Sequence, residues 1–169
     1  MPDPISDVEP LGAGHDVSDF DCGTPAFNDW LREHALNSQR SDGVRVYVLH
    51  RAGRVVAYYA LTFGSVEKSK APDRIGRGLG EYGGIPVIIL ARLAVDRSEQ
   101  GRNLGSALFR DALLRAARAS EIGGLRALLI HVYEDSVRPF YAKYNLQESP
   151  TDRMHLFLLM KDLRAMIGD

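Results

Sequence analysis

The chain has 169 residues, of which 45% are hydrophobic and 25% charged, and its formal net charge is −1. This length and composition are typical of one globular domain with a proper core, so residues 1–169 are predicted to form a single domain. The near-neutral charge excludes a protein that is basic throughout and binds nucleic acid generally. The N-terminus, MPDPISDVEP, has no basic region and no long apolar run, so neither a signal peptide nor a membrane span is expected.

The charge is unevenly distributed along the chain. Residues 1–21 hold six carboxylates and no Lys or Arg, and residues 1–17 are expected to be a flexible acidic N-terminus. The remainder carries a surplus of basic side chains, which is either a solvated basic face or a contact surface for an anionic partner. Cys22 is the only cysteine. An intrachain disulfide is therefore excluded, and a reducing, cytoplasmic location is expected.

The predicted elements begin with a helix from Thr24–Pro25, an N-cap followed by proline at the first helical position, to about Asn37. Side chains of different character alternate over residues 45–49, and residues 55–63 are rich in β-branched and aromatic side chains. These two patterns predict two strands. Residues 51–54, with a glycine, predict a hairpin turn between them.

Residues 64–86 are predicted to be a long connection with six glycines and four basic side chains. A loop of this length inside a domain is usually functional or mobile. Residues 87–95 are almost entirely apolar, as in a central strand that is buried on both faces. An amphipathic helix then begins at Leu104 and ends at Gly123–Gly124.

The last third of the chain predicts two more strands, 125–132 and 154–160. Between them, Asp135 or Ser136 can cap a short helix through Tyr144, and a tail follows at 161–169. Together the predicted elements indicate an α/β fold with a mixed sheet.

The most informative stretch follows the central strand. Gly101, Asn103 and Gly105 are spaced two apart around the predicted helix start at Leu104. A strand, a glycine-rich turn and a helix N-terminus present backbone N–H groups to a phosphate, although a purely structural turn also favours glycine. Residues 76–80 have similar glycine spacing, but no predicted strand precedes them and no apolar helix follows.

These residues resemble the GNAT superfamily of acetyltransferases. Its diphosphate loop follows the pattern Gln/Arg-x-x-Gly-x-Gly/Ala, and this chain has Gln100-Gly-Arg-Asn103-Leu-Gly105. Four further segments are similar to GNAT toxins of type II toxin–antitoxin systems, which acetylate aminoacyl-tRNA: F-D-C-G-T-P at 20–25, Y-Y-A-L at 58–61, I-P-V-I-I-L-A-R-L-A-V-D at 85–96 and R-P-F-Y at 138–141.

The resemblance implies a GNAT-like acyl-CoA N-acyltransferase fold, with a mixed, mostly antiparallel sheet splayed at the cofactor site and flanked by helices. It implies a toxin that transfers an acetyl group from acetyl-CoA to the α-amino group of aminoacyl-tRNA and so blocks translation. The partners it implies are a ribbon-helix-helix antitoxin and a second copy of the chain in a homodimer.

The resemblance also assigns roles to individual positions. Tyr141 is expected to be the general acid that protonates the departing CoA thiolate, whereas without the resemblance Phe140, Tyr141 and Tyr144 would be read as packed core. The expected acetyl-CoA contacts are Leu93, Ala94, Val95, Gln100, Gly101, Arg102, Asn103, Leu104, Gly105 and Ser106.

The chain departs from the superfamily pattern at three places. Asn103 replaces the first glycine of the loop, and Asn145-Leu146 stands where Gly-Phe is common. Asn tolerates a left-handed backbone best after glycine, so both turns stay possible. Glu134 stands where many members have Asn, and a carboxylate near the thiol would oppose thiolate formation.

Basic residues are candidates for tRNA contact, with solvated loop charges as the alternative: Arg40, Arg45, Lys68, Lys70, Arg74, Arg77 and Arg92. Arg92 interrupts the apolar central strand, as either a strand-end arginine or a substrate or subunit contact. The five histidines show no metal-ligand spacing, and no metal is expected.

Two other functions remain open from the sequence. One is a GNAT enzyme that acetylates a small amine or a protein N-terminus. The other is a non-catalytic GNAT fold that binds CoA or an antitoxin, which the departures at Asn103 and Glu134 allow.

Overall fold

A computed structural model describes residues 2–80 and 83–168. Its strands are β1 Glu9–Pro10, β2 Arg45–Arg51, β3 Arg54–Val66, β4 Ile85–Val95, β5 Ala127–His131, β6 Gln147–Glu148 and β7 His155–Leu159. Its α-helices are α1 Pro25–Glu33, α2 Ala35–Arg40, α3 Asp73–Gly76, α4 Leu104–Ile122, α5 Arg138–Ala142 and α6 Met160–Ile167. In this described part, no helix combines the length and the apolar character that crossing a membrane requires.

The strands form one sheet in the order β1-β2-β3-β4-β5-β7-β6. β4 and β5 are parallel, whereas β1 with β2, β2 with β3, β5 with β7 and β6 with β7 are antiparallel. The predicted α/β fold with a mixed, mostly antiparallel sheet is therefore confirmed.

The chain divides into two compact units, one formed by Met1–Thr62 with Ala91–Ala112 and the other by Phe63–Leu90 with Leu113–Asp169. Each unit has a buried apolar cluster. In the first, side chains of the β2–β3 hairpin pack with Leu31 of α1 and Ala94 of β4. In the second, side chains of β4, β5 and β7 pack with Ile75 of α3.

The first unit corrects one prediction and confirms another. The predicted helix from Thr24–Pro25 to Asn37 is broken at His34, whose φ of −124° ends α1 before α2 begins. The predicted hairpin turn is present, since Ala52 and Gly53 both have positive φ, 47° and 91°, as a type I′ turn requires.

The N-terminal segment contributes to the sheet of the first unit. Glu9 and Pro10 pair with Val48 and Tyr47 of β2. The Ser6 N–H also donates to the His50 carbonyl at 2.8 Å. Two-residue strands carry no period that a sequence pattern can show.

The second unit corrects two predictions. The 64–86 connection is shorter than expected, because β3 continues to Val66 and a 3₁₀ turn at Lys68–Lys70 and α3 follow. The predicted tail at 161–169 is mostly α6, which ends at Gly168 with the left-handed φ of 88° typical of a helix C-cap.

Candidate active site

The segment after β4 begins with a buried aspartate. Asp96 accepts the N–H groups of Ser98 and Asp21, each at 3.0 Å. Burial alone would raise the pKa of Asp96, but these hydrogen bonds hold that pKa below its ordinary value. The carboxylate therefore stops the strand and fixes the start of the loop.

A second carboxylate fixes the loop three residues later. Glu99 is 4% exposed, and its oxygens accept from Arg51 Nε at 2.7 Å and from Arg102 Nη1 at 3.0 Å. The hydrogen bond from Arg51 is the main cause of a lowered pKa at Glu99. Arg102, predicted to contact the cofactor, is thus held beside Glu99 with its side chain mostly exposed.

Gln100 ties the same loop to the strand end. Its amide nitrogen donates to the carbonyls of Val95 at 2.9 Å and Cys22 at 3.2 Å. The amide predicted to contact the cofactor therefore bonds backbone within the protein. Its effect is to set where the following glycine turn begins.

The turn itself has the expected backbone. Gly101 has φ of 85°, and nothing lies within 4 Å of a Cβ built on it. Asn103 has φ of 64°, so the left-handed turn expected there is confirmed. Its carbonyl accepts the Ala107 N–H at 3.1 Å, the first hydrogen bond of α4.

The first turn of α4 carries the remaining loop residues, Leu104, Gly105 and Ser106. The first N–H groups of any α-helix have no intrahelical acceptor and carry partial positive charge. The described first turn has no acidic side chain. An open glycine turn that leads into this helix can therefore accept a diphosphate, and we call Gly101–Ser106 the phosphate cradle.

The predicted pantetheine contacts lie on β4. Ala94 is buried, whereas Leu93 and Val95 are half-buried. They are the last three residues of the strand that leads into Asp96. Their proposed role uses only their backbone groups.

Tyr141 lies on α5 of the second unit and is buried. Burial raises the pKa of its hydroxyl, and Tyr144 adds to the effect. The hydroxyl therefore stays protonated at neutral pH. Tyr141 also lines a cavity of about 600 Å³ with Arg138, Asn145 and Leu156.

The two other departures from the family pattern lie near α5 in sequence. Asn145 has φ of 55°, so its left-handed turn is confirmed. Glu134 is exposed and precedes the 3₁₀ turn Asp135–Val137 in an extended conformation.

Most of the basic candidates for tRNA contact already have partners inside the protein. Arg45 donates to Asp42 at 2.9 Å, and Lys68 donates to the Leu79 carbonyl at 2.6 Å. Lys70 pairs with Glu67 at 3.8 Å, and Arg74 pairs with Asp162. Arg40 and Arg77 are exposed.

Arg92 differs from these residues. Its guanidinium lies over the Trp30 ring, 4.2 Å from the centroid, and its Nε is buried with no hydrogen-bond partner in the described structure. Burial lowers the pKa of this guanidinium. Sequence reasoning marked Arg92 as unusual, but nothing in the sequence indicated its contact with Trp30.

One cluster of potential metal ligands was missed from the sequence, because its members lie on different elements. His15 Nε2 and His50 Nε2 each lie 2.7 Å from the same oxygen of Glu9. The N–H groups of Gly12 and Gly53 donate to Nδ1 of these rings. Each Nε2 therefore carries the proton and donates to Glu9, an arrangement that opposes metal ligation by Nε2.

Known proteins resemble this chain along nearly its whole length. The chain is 50% identical over 154 residues to the tRNA-acetylating toxin of Mycobacterium tuberculosis, covering 91% of this chain and 92% of the relative. A structure of AtaT complexed with acetyl-methionyl-tRNAfMet has a TM-score of 0.87 at 27% identity, covering 98% of this chain and all of that one (100%).

A second solved structure is an AtaT mutant toxin bound to the C-terminus of the antitoxin AtaR and acetyl-CoA. It has a TM-score of 0.83 at 26% identity, with 99% of this chain and 100% of that chain covered. The model of the acetyltransferase (GNAT) family matches residues 15–145. The chain therefore belongs to the GNAT family of acetyltransferases.

Proposed function

We propose that this protein is a toxin that transfers an acetyl group from acetyl-CoA to the α-amino group of aminoacyl-tRNA and so blocks translation. The observation that carries the proposal is the 50% identity, over nearly the whole chain, to a tRNA-acetylating toxin. The phosphate cradle supports it, because its open glycine turn and helix N-terminus suit the diphosphate of acetyl-CoA. The AtaT complexes with acetyl-CoA and with acetylated tRNA agree with both substrates.

Acetyl-CoA supplies the activated acetyl group, and the chain orients it. In this proposal Gly101–Ser106 binds the diphosphate through backbone N–H groups, while the backbone of Leu93–Val95 aligns the pantetheine arm as an added strand would. An N–H group near Val95 polarises the thioester carbonyl. Asp96 and Glu99 keep this backbone in place through the hydrogen bonds described above.

Tyr141 is proposed as the general acid. A thiol has an ordinary pKa of about 8.5, so a leaving thiolate gains from protonation in the transition state. Burial keeps the Tyr141 hydroxyl protonated and able to donate. The α-amino group has a pKa of about 8 or lower, so a useful fraction is neutral at pH 7 and water can take its proton.

A toxin of this kind has two proposed protein partners, an antitoxin and a second copy of the chain. We propose that an antitoxin binds this toxin, as AtaR binds AtaT, that it holds the toxin inactive, and that it belongs to the ribbon-helix-helix class. We further propose that the toxin acts as a homodimer in the cytoplasm, where its tRNA substrate is found.

The test replaces Tyr141 with Phe and measures acetyl transfer to charged tRNA, uncharged tRNA, polyamines and peptides. We expect the wild type to acetylate charged tRNA best, and Tyr141→Phe to lower kcat by about 10²-fold or more without weakening acetyl-CoA binding. Tyr144→Phe is the matched control, because it removes a hydroxyl from the neighbouring turn. Preference for a polyamine or peptide would reject the tRNA substrate, and unchanged turnover would remove Tyr141 from the mechanism.

A further inference from the structure

Arg92 is held on an aromatic support in the first unit. Its guanidinium lies 4.2 Å from the centroid of Trp30. Trp30 also stacks with Tyr58, with ring centroids 6.0 Å apart and planes 16° apart, and the Tyr58 hydroxyl donates to the Phe27 carbonyl at 2.8 Å. A fixed aromatic plane therefore limits the orientations that the Arg92 fork can take.

One hydrogen-bond donor of this arginine is unused within the described residues. Nε of Arg92 has no partner in the described structure. By contrast, Arg51 donates to Glu99 and Arg126 donates to the carbonyls of Ile75 and Arg77. A buried donor without an acceptor costs about 1–3 kcal/mol, and a ligand that supplies an acceptor would recover that cost.

A cavity of about 480 Å³ adjoins this pair. Its lining includes Trp30 and Arg92 together with the small polar side chains of Ser38, Ser41 and Thr62. None of its described lining residues is acidic. The cavity therefore suits a ligand that is anionic and rich in hydrogen-bond acceptors.

We propose that Arg92, seated on Trp30, binds the phosphodiester that precedes the 3′-terminal nucleoside of the tRNA. The inference rests on the proposed function and names the feature by which the enzyme prefers a nucleic-acid-borne amine. A planar guanidinium fork matches a phosphate group in a bidentate way, which an ammonium cannot do. Arg92 is thus a positioning residue that holds the acceptor end while the amino group reacts.

The test compares two substrates that carry the same aminoacyl group on the 3′ position of adenosine through a stable amide. One is the aminoacyl nucleoside, without phosphate. The other is the cytidylyl-(3′→5′) dinucleotide, with one phosphodiester. The proteins are the wild type, Arg92→Gln, Arg92→Lys and a control, Arg118→Gln, which removes an exposed arginine.

The wild type and Arg118→Gln should prefer the dinucleotide. Arg92→Gln should lower kcat/KM for the dinucleotide by about 10–100-fold, the range for a charge-assisted hydrogen bond, and leave the nucleoside unchanged. Arg92→Lys keeps the charge without the fork, so we expect it to lose part of the preference. If Arg92→Gln does not fold, the change in dinucleotide preference is measured with Arg92→Lys instead.

Three results would overturn the inference. If kcat/KM falls equally for the nucleoside and the dinucleotide in both Arg92 variants, Arg92 only supports the fold, and the proposed function stands. A raised KM for acetyl-CoA with the dinucleotide preference intact means that the bound anion belongs to CoA. Failure of the wild type to acetylate either substrate or charged tRNA rejects the proposed function and this inference with it.

Discussion

Two glycine-rich segments of this chain look alike in sequence but differ in how their backbone is held. In 76–80, basic side chains satisfy backbone carbonyls: Lys68 donates to Leu79 and Arg126 donates to Arg77. In 96–106, buried carboxylates fix the loop from upstream, as the bonds to Asp96 and Glu99 show.

The difference shows that glycine spacing alone does not identify a phosphate site. Around 76–80, the neighbouring cations already donate to the backbone carbonyls of the segment, so fewer of their donors are available to bind an anion. A segment fixed by carboxylates ahead of the turn keeps the N–H groups of the next helix turn for a ligand. For identifying a phosphate site, the charge of the side chains that bond the loop is therefore more informative than the spacing of its glycines.

The largest expected effect comes from a carboxylate inside the phosphate cradle. Ser106→Glu places a negative charge in the first turn of α4, where it should occupy the anion site and repel the diphosphate. We expect the Kd for acetyl-CoA, measured by calorimetry, to rise about 10²-fold. The control is Ser69→Glu at an exposed position of the 3₁₀ turn Lys68–Lys70, outside the phosphate cradle, which should leave that Kd within about 2-fold. Equal effects at the two positions would contradict the contrast.

A smaller effect is expected from the buried carboxylate. Glu99→Gln leaves Arg51 beside a neutral amide and should cost about 1–3 kcal/mol of unfolding free energy near neutral pH. Because the fold lowers the pKa of Glu99, its contribution is complete above the ordinary carboxyl pKa of about 4.3 and is lost as pH falls through the folded value. Denaturant unfolding between pH 7 and pH 3 should therefore show a shallower acid slope in the variant.

The control for Glu99 is Asp162→Asn, which removes the carboxylate partner of Arg74 in the second unit. The side chain of Asp162 is 37% exposed, so solvent screens the pair and its loss should cost less than about 1 kcal/mol. A larger loss of unfolding free energy at Asp162 than at Glu99 would contradict the distinction between a buried and a half-exposed carboxylate.

The smallest effect is expected at Arg74 itself. Its guanidinium is engaged by Asp162, so a tRNA phosphate would have to displace that carboxylate. Arg74→Gln should change the KM for aminoacyl-tRNA by less than about 2-fold, the level expected of an exposed pair. A 10-fold increase would mean that the ion pair opens to bind tRNA and that Arg74 is a tRNA contact.

Local patterns were enough to predict the scaffold of the site. The apolar run of β4, the polar break at Asp96 and the helix from Leu104 are all present. The left-handed backbone at Asn103 and Asn145 follows from residue chemistry alone and is confirmed. These features depend on residues a few positions apart, which a sequence displays directly.

Features set by distant residues could not be predicted in this way. The break at His34 and the helix α6 were missed, as were β1 and β6, each of two residues. The Gln39 amide bonds the Leu11 carbonyl and the Val46 N–H, at 2.7 and 2.8 Å, and only the folded chain brings these groups together. The pairing of Arg74 with Asp162 spans 88 positions for the same reason.

Trp30 is the only tryptophan in the chain, and it lies against both Arg92 and Tyr58. Indole emission depends on the groups in contact with the ring, so emission excited selectively at tryptophan reports on this one position. Any movement of the Arg92 guanidinium away from the ring should change the emission without an attached dye. For the proposed contact of Arg92 with tRNA, this emission is an intrinsic optical readout that needs no label.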